Sequence, residues 1–229
     1  MKYGILYGVS VGPGDPELMT VKAVRILERC PVVAAPRTAG EKTLALDIAS
    51  GAADLRGKTI LNLEFAMTRD PAELAASHRA AADTLENELR EGRDVAMLNL
   101  GDVSVYSTFA YMMELLRADG FESVMIPGVP SFCAVAAALG TGLTEMNEPL
   151  HILPAGGMAV DEALRLPGTK VLMKTGRAMP AVRAAIRRAG LADRTQLVQN
   201  CGLPDEKICR RLEEASDEIS YFTTMIVKP

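Results

Sequence analysis

The stretch that decides the fold of this chain is GVSVGPGDPELMT, Gly8–Thr20. It follows an apolar run rich in Val, Ile and Tyr and precedes an amphipathic run, a pattern that predicts a strand, a glycine-rich turn and a helix. The spacing is not GxGxxG, Pro13 lacks the backbone N–H that a pyrophosphate would need, and no Gly-Lys-Ser/Thr follows as in a P-loop. Because a plain turn capped by Asp15 would not need two glycines around a proline, we interpret the stretch as a ligand-binding loop.

Outward from this stretch, strand-like and helix-like segments alternate as far as residue 139. The predicted strands are Lys2–Val11, Pro31–Ala35, Lys58–Phe65, Asp94–Leu100 and Glu122–Ile126. The predicted helices are Thr20–Cys30, Thr43–Ser50, Pro71–Glu91, Thr108–Ala118 and Ser131–Leu139. Alternation of this kind predicts a parallel sheet with helices on its faces.

Beyond residue 140 the pattern loosens into glycine and polar residues as far as Pro149, and we place a domain boundary there. The predicted domains are 1–140 and 141–229. The second should contain strands His151–Leu153, Thr169–Lys174, Thr195–Gln199, Lys207–Arg211 and Tyr221–Val227, with helices Ala159–Leu166 and Met179–Ala189. Strands crowd its end, so we predict an α/β protein whose first domain has a parallel sheet and whose second has a mixed sheet.

Composition excludes several classes of protein. The chain has 229 residues, of which 48% are hydrophobic, and 25 basic against 29 acidic side chains give a net charge of −4, which disfavours a nucleic-acid partner. No apolar run approaches the roughly 18 residues of a membrane span. Four cysteines without a CxxC pair and only two histidines disfavour a metal site and indicate reduced thiols. We predict a cytoplasmic enzyme with no membrane partner, in which His78 is solvated on a polar helix.

Two further strand–glycine–helix junctions accompany the first. One is Leu100–Thr108, LGDVSVYST, at the end of a very apolar strand, where ligands of open α/β sheets bind. In it Gly101 allows close backbone approach, and Asp102 can accept hydrogen bonds from a ligand or, alternatively, cap a helix. The other is Ile126–Ala134, IPGVPSFCA. We expect the three junctions to converge on one site.

In this order, the three junctions resemble those of the tetrapyrrole methylases, which transfer methyl groups from S-adenosylmethionine to corrin and porphyrin precursors. The run Val11–Pro16 with Leu18 and Thr20 is similar to the most specific motif of that family. Looser matches at Val171–Lys174, Asn200-Cys201 and Tyr221–Thr223 extend the resemblance nearly end to end. Details such as Tyr106–Phe109 and His151–Ala155 are most similar to the branch that methylates carbon 20 of precorrin-2 or cobalt-factor II.

The resemblance implies two α/β domains with S-adenosylmethionine in the cleft between them, a tetrapyrrole substrate and a homodimer. The cofactor-binding residues that it implies are Pro13, Leu100, Gly101, Asp102, Val105, Tyr106, Pro130, Ser131, Met173, Lys174 and Cys201. Two positions depart from the family, which usually has proline at Val103 and serine or threonine at Pro130. The second departure removes a hydroxyl, so a hydrogen bond there must come from the backbone or from Ser131.

The expected chemistry needs few catalytic groups. A sulfonium methyl is already activated, so transfer requires mainly that a nucleophilic carbon be held about 3–3.5 Å away. A meso carbon of a reduced tetrapyrrole is electron-rich, so we assign no catalytic base. The substrate's carboxylates would pair with cations, for which Arg37, Lys174 and Arg177 are candidates, although each is as readily ordinary solvated surface.

Three alternatives stay open at this point. One is a methylase of the same fold acting on another corrin carbon, a protein side chain or ribosomal RNA. Another is a dinucleotide-dependent oxidoreductase, which is disfavoured because the second strand runs into Pro36-Arg37 and not into an acidic residue. The third is a non-catalytic module that binds the cofactor without turnover.

Overall fold

A computed structural model describes residues 2–37, 44–68, 70–155, 159–216 and 219–229, with Arg177 described for its backbone alone. The chain divides into two compact units, Met1–Pro130 and Ser131–Pro229. Helix α5, Ser131–Leu139, falls in the second unit because it packs against strands of that unit's sheet. The domain limits 1–140 and 141–229 stay a prediction.

The first unit contains a five-stranded sheet in which every neighbouring pair is parallel, as predicted. Its strands are β1 Leu6–Ser10, β2 Val32–Arg37, β3 Thr59–Glu64, β4 Val95–Asn99 and β5 Ser123–Ile126, in the spatial order β3-β2-β4-β1-β5. Its helices are α1 Val21–Arg29, α2 Leu44–Ala52, α3 Pro71–Arg90 and α4 Phe109–Ala118. Strands covered on both faces are mostly apolar, and all five residues of β1 are buried.

The two faces of this sheet carry different helices. Helices α1 and α2 pack with Val9 and Leu98 on one face, and α3 and α4 pack with Leu6 and Met97 on the other. The chain therefore leaves β1 towards one face and leaves β4 towards the opposite face, although β1 and β4 are neighbours. Their carboxyl ends form the topological switch point of the sheet, which is where ligands bind in open α/β folds.

Local signals define the helix starts as the sequence predicts. The Thr20 hydroxyl accepts a hydrogen bond from the Ala23 N–H at 3.2 Å at the start of α1, and Asp70 caps α3 ahead of Pro71. Several boundaries differ from expectation: β1 begins at Leu6 and not at Lys2, and β2 continues through Pro36 to Arg37. Strand β4 pairs with β2 only as far as Ala34, so beyond that point β2 has a free edge where proline is tolerated.

The second unit contains a mixed sheet, also as predicted. Its strands are β6 Leu150–Pro154, β7 Thr169–Met173, β8 Thr195–Gln199, β9 Lys207–Cys209 and β10 Thr223–Val227, in the order β6-β7-β10-β8-β9. Strands β6 and β7 are parallel and the other pairs are antiparallel. Besides α5, the helices are α6 Val160–Arg165 and α7 Met179–Arg188, and the core includes Leu172, Met179, Leu197 and Met225.

The prediction that His78 is solvated is wrong. Its ring stacks on Tyr111 with the ring centroids 4.6 Å apart and meets Phe65 edge-on at a centroid distance of 5.9 Å. His78 is only 9% exposed. Desolvation lowers the pKa of His78. Helix α3 is polar in composition, but the face that carries His78 packs against α4. Within the described ranges, no helix combines the length and the apolar character needed to cross a membrane.

Candidate functional site

In the first unit, the loops that follow β1 and β4 are joined at the switch point by a pair of backbone hydrogen bonds. The Gly101 N–H donates to the Gly12 carbonyl at 2.8 Å, and the Gly12 N–H donates to the Gly101 carbonyl at 3.3 Å. Both glycines are in the left-handed region, with φ of 76° at Gly12 and 68° at Gly101. The backbone conformation therefore favours glycine at both positions, and the first two motifs form one structure.

The third junction packs onto the same place. A Cβ at Gly128 would lie 2.4 Å from the Ser10 Cβ and 3.1 Å from the Gly101 carbonyl oxygen. The Thr20 hydroxyl, which caps α1, also donates to the Pro127 carbonyl at 3.2 Å. The expected convergence of the three glycine junctions is confirmed at the carboxyl edge of the first sheet.

The Asp102 carboxylate binds the protein's own loops. Its Oδ2 accepts from the Gly128 N–H at 2.8 Å, and its Oδ1 accepts from the N–H of Ser104 at 2.8 Å and from the Ser104 hydroxyl. Burial on its own would raise the pKa of Asp102, but the hydrogen bonds from Gly128 and Ser104 outweigh burial and lower it. Asp102 does not cap α4, which begins after Thr108. Asp102 thus connects the loop after β4 to the loop after β5.

We expect Asp102→Asn to reduce the free energy of unfolding by about 1–3 kcal/mol at pH 7, because hydrogen bonds to a charged group are lost. The folded-state pKa is lowered, so the carboxylate stabilises the fold above the unfolded pKa of about 3.9, and this stabilisation is lost as the pH falls through the folded value. Urea unfolding of both proteins at pH 7 and in steps below pH 4 measures the difference. If the difference in the free energy of unfolding between the two proteins keeps the same size down to the lowest pH, the stabilisation does not come from the ionised Asp102 carboxylate.

Beyond Asp102 the loop is held in an unusual conformation. Tyr106 has φ of 49°, which lies in the left-handed region that residues other than glycine rarely adopt. The residue is 44% exposed. The next residue fixes the start of α4, since the Ser107 hydroxyl donates to Asn99 Oδ1 at 2.6 Å and accepts from the Phe109 N–H at 3.0 Å. The loop after β4 thus carries an exposed aromatic residue with a left-handed backbone conformation.

The structure gathers one group of the predicted site residues on these loops. Leu100, Asp102 and Val105 are half-buried on the loop after β4, while Gly101 is buried. Half-buried Pro13 follows Gly12, and half-buried Pro130 ends the first unit. Val103, where the resembling family usually has proline, is 1% exposed and packs with the α3 and α4 side chains. Apolar packing therefore fills the position without proline.

The remaining predicted residues belong to the second unit. Ser131 is the first residue of α5, and Met173, Lys174 and Cys201 lie at the ends of β7 and β8. Both strands are antiparallel to β10, so their carboxyl ends share one edge of the second sheet. Lys174, with φ of 56°, and Asn200, with φ of 52°, are left-handed directly after these strands. The two strand ends are thus built alike.

The thiol at this second edge, that of Cys201, is not an activated nucleophile. Burial, the charge of Glu206 and a hydrogen bond with Glu206 raise the pKa of the Cys201 thiol to about 12, so it stays protonated at neutral pH. Desolvation lowers the pKa of Lys174, which remains partly exposed. Asn200 is fixed by its N–H to the Phe222 carbonyl at 2.9 Å and by its side-chain amide to Asp205 at 2.6 Å.

Two of the candidate cations are placed in different units. Arg37 is exposed at the carboxyl end of β2 in the first unit, and Lys174 lies in the second. The side chain of Arg177 lies outside the described part of the structure. Among the described residues, no group of three or more His, Cys, Asp or Glu side chains could hold a metal ion.

Sequence reasoning missed Ser10 as a site residue. It lies within the first motif, but serine at the end of a buried strand gives no signal by itself. In the structure its hydroxyl donates to the Ile126 carbonyl and accepts from the Val103 N–H, both at 2.8 Å. Ser10 therefore connects β1 to β5 and to the loop after β4.

These features define an α/β protein whose glycine loops meet at the switch point of a parallel sheet and lack the motif of a phosphate cradle. The family model described as Tetrapyrrole (Corrin/Porphyrin) Methylases matches residues 5–216, and the chain belongs to that family.

Relatives match along nearly the whole chain. A cobalt-precorrin-2 C(20)-methyltransferase of Salmonella typhimurium is 32% identical, covering 98% of this chain and 96% of its own length. A probable cobalt-precorrin-2 C(20)-methyltransferase of Methanocaldococcus jannaschii is 34% identical over 97% and 95%, and a precorrin-2 C(20)-methyltransferase of a Sinorhizobium species is 29% identical over 98% and 95%.

Solved structures share the fold. A cobalt precorrin-4 methyltransferase superposes with a TM-score of 0.75 at 24% identity, covering 98% of this chain and 94% of that one. The uroporphyrin-III C-methyltransferase of Thermus thermophilus, complexed with S-adenosylhomocysteine, gives 0.72 at 24% identity over 98% and 97%.

The chain is accordingly an S-adenosylmethionine-dependent methyltransferase. The loops of the first unit fit such a cofactor. They offer glycine backbone, the half-buried apolar side chains of Leu100 and Val105, and the exposed side chain of Tyr106. Apolar and aromatic surface with a few polar groups suits an adenosyl group, whereas a pyrophosphate would need a row of N–H donors.

Proposed function

We propose that this methyltransferase acts on carbon 20 of precorrin-2 or of its cobalt-containing counterpart, cobalt-factor II, in the biosynthesis of cobalamin. The observation that carries the proposal is that three relatives matching 97% or more of the chain are named as C(20)-methyltransferases, two of cobalt-precorrin-2, one of these as probable, and one of precorrin-2. The residues quoted for the carbon-20 branch, Tyr106–Phe109 and His151–Ala155, support the same branch.

We also propose which residues of each unit contact the cofactor. In the first unit they are Pro13, Leu100, Gly101, Asp102, Val105, Tyr106 and Pro130, for which the convergence of the three loops provides support. In the second unit they are Ser131, Met173, Lys174 and Cys201, of which the last three lie at a common sheet edge. When bound, S-adenosylmethionine supplies an activated methyl group, and these residues bind it and orient it.

The proposed mechanism relies on positioning. The paired glycines of the switch-point loops would hold S-adenosylmethionine in one orientation. Transfer would form the bond between carbon 20 and the methyl group, break the S–CH3 bond so that S-adenosylhomocysteine leaves, and release the proton of carbon 20 to water. No general base is assigned, because Asp102 already accepts hydrogen bonds from Gly128 and Ser104 and the Cys201 thiol stays protonated.

The four cysteines are free thiols, which supports a reducing, cytoplasmic location.

Methylation of two substrates tests the proposal. The protein is incubated with metal-free precorrin-2 or with cobalt-factor II and methyl-labelled S-adenosylmethionine, and the products are examined by mass spectrometry and by NMR of the labelled carbon. We expect one labelled methyl group at carbon 20 with at least one of the two forms. Methylation at a different carbon, or no methylation of either form, overturns the proposal.

Ligand selectivity provides a prediction that does not depend on the substrate. We expect S-adenosylmethionine and S-adenosylhomocysteine to bind in calorimetric titrations, and NAD and ATP not to bind, because Pro13 removes a donor from the first loop and no P-loop is present. Tighter binding of NAD than of S-adenosylhomocysteine would contradict the proposed cofactor site.

A homodimer is the proposed assembly, as the family resemblance implies, and two-fold dimers are the commonest closed oligomers. Light scattering at micromolar concentration is expected to give twice the chain mass of 24.5 kDa. A mass of 24.5 kDa at micromolar concentration would contradict the homodimer but not the proposed reaction.

A further inference from the structure

Ser10 is the last residue of β1, and it is 0% exposed. A serine hydroxyl has one hydrogen to donate and lone pairs to accept with, and this one uses both functions inside the protein. It donates to the Ile126 carbonyl at the end of β5 and accepts from the N–H of Val103 in the loop after β4. Because Ser10 has no exposed surface, a ligand cannot contact it in this conformation.

The loop that Ser10 contacts is fixed at its start by several contacts, one of which is the buried side chain of Val103. From Gly101 to Tyr106 it leaves the sheet, turns through a hydrogen bond from the Val105 N–H to the Asp102 carbonyl at 3.1 Å, and contains left-handed residues at both ends. The backbone of Gly101 is paired with Gly12, and Asp102 reaches the loop after β5. The Ser10 bond to Val103 comes directly after these two contacts and fixes the next peptide.

Ser10 also lies beneath Gly128. The distance of 2.4 Å from the Ser10 Cβ to the position of a Cβ on Gly128 shows that the loop after β5 packs directly on this side chain. Two loops, those after β4 and β5, therefore contact one buried side chain at the end of β1. Its hydrogen-bond partners Val103 and Ile126 lie 93 and 116 positions from it in the sequence.

We propose that Ser10 is a positioning residue for S-adenosylmethionine, which acts by holding the Gly101–Tyr106 loop in its binding conformation. This inference rests on the proposed cofactor site of the first unit. Without the hydroxyl, the Val103 N–H and the Ile126 carbonyl lose their partner in a buried place, and the loop shifts to recover hydrogen bonds. The shift moves Gly101 and Asp102 away from the arrangement that binds the cofactor.

The test measures the affinity for S-adenosylhomocysteine by calorimetry in the Ser10→Ala variant and follows thermal unfolding in parallel. We expect binding to weaken by at least about tenfold, the effect of one buried hydrogen bond, in a protein that remains folded. Ser10→Cys keeps a weak donor and acceptor on a side chain of similar shape, so it should recover part of the affinity.

Ser123→Ala is the matched control. Ser123 is also a buried serine of the same sheet, it lies at the opposite end of β5, and its hydroxyl has no hydrogen-bond partner in the described part of the chain. Its removal should leave the affinity unchanged. A purely structural role for Ser10 would lower the melting temperature of Ser10→Ala and leave the affinity of the folded protein at the wild-type value, which overturns the inference.

The Gly101→Val variant separates this inference from the site on which it rests. Loss of binding in Gly101→Val with wild-type binding in Ser10→Ala means that the site is correct and that Ser10 does not position it. Wild-type binding in both variants means that the site itself is misplaced. If Ser10→Ala does not fold, the affinity of Ser10→Cys tests the inference instead. Wild-type affinity in Ser10→Cys overturns the inference, and weaker binding at an unchanged melting temperature supports it.

Discussion

Replacing Gly101 by valine is expected to weaken the binding of S-adenosylhomocysteine by at least about a hundredfold, which is about 2.8 kcal/mol. Gly101 has φ of 68°, and a β-branched residue resists that conformation most strongly. Its N–H and carbonyl are both paired with Gly12, so a change of φ at Gly101 breaks the pairing that joins the first two motifs. The isopropyl group would also occupy the backbone surface proposed to face the cofactor.

Stability should suffer less than affinity in this variant, because Gly101 lies beyond the end of β4. A strained left-handed residue and local crowding together cost about 1–3 kcal/mol. Calorimetric titration gives the affinity, and urea unfolding shows whether the protein titrated is folded. Near-normal affinity in a folded Gly101→Val protein would mean that this glycine serves only the turn.

Gly57→Val provides the matched control for the backbone effect. Gly57 lies in the same unit, has φ of 76° and precedes β3, and a Cβ there would meet no atom within 4 Å. The variant therefore introduces the same kind of strain without touching the proposed site. We expect it to lose stability to a similar extent and to bind S-adenosylhomocysteine as the wild type does.

A single added methyl group at Gly128 is expected to have the second largest effect. In Gly128→Ala the new Cβ would lie 2.4 Å from the Ser10 Cβ and 3.1 Å from the Gly101 carbonyl oxygen, and neither the strand end nor the backbone carbonyl can move without moving its loop. We expect the free energy of unfolding to fall by about 1–3 kcal/mol, as for overpacked cores, with a loss of S-adenosylhomocysteine affinity.

The control for this variant is Gly142→Ala. A Cβ at Gly142 would find open space, with no atom within 4 Å, so the substitution adds the same group without a collision. Urea unfolding and calorimetry on both variants measure the two effects. Equal stability and affinity in Gly128→Ala and Gly142→Ala would show that the three loops do not depend on close packing at Gly128.

Much of the fold follows from local patterns. Helix α3 begins where Asp70 precedes Pro71, and α1 begins after Thr20, because capping involves residues only two or three positions apart. The buried parallel strands are apolar runs for the same local reason, since both of their faces are covered. Boundaries moved by a few residues at most, as where β2 runs through Pro36 beyond its pairing with β4.

The environment of individual side chains was less predictable. His78 stands in a polar helix, yet α4 supplies Tyr111 to stack on it. Asp102 is a residue type that can accept hydrogen bonds from a ligand, yet in the structure its carboxylate oxygens accept them from Gly128 and Ser104. In both cases one partner is distant in the chain, Tyr111 for His78 and Gly128 for Asp102, so no short window of sequence contains the information.

The sequence by itself determined the alternation of strands and helices, the glycine junctions and the resemblance to the tetrapyrrole methylases, because these depend on residue type and short spacing. Only the tertiary structure decided the order β3-β2-β4-β1-β5, which brings β1 beside β4 and makes their ends a switch point. That order also places Ser10 between Ile126 and Val103. Hydrogen bonds across such separations form only once the sheet has assembled, and for that reason Ser10, which connects β1 to the loops after β4 and β5, carries no signal in the sequence.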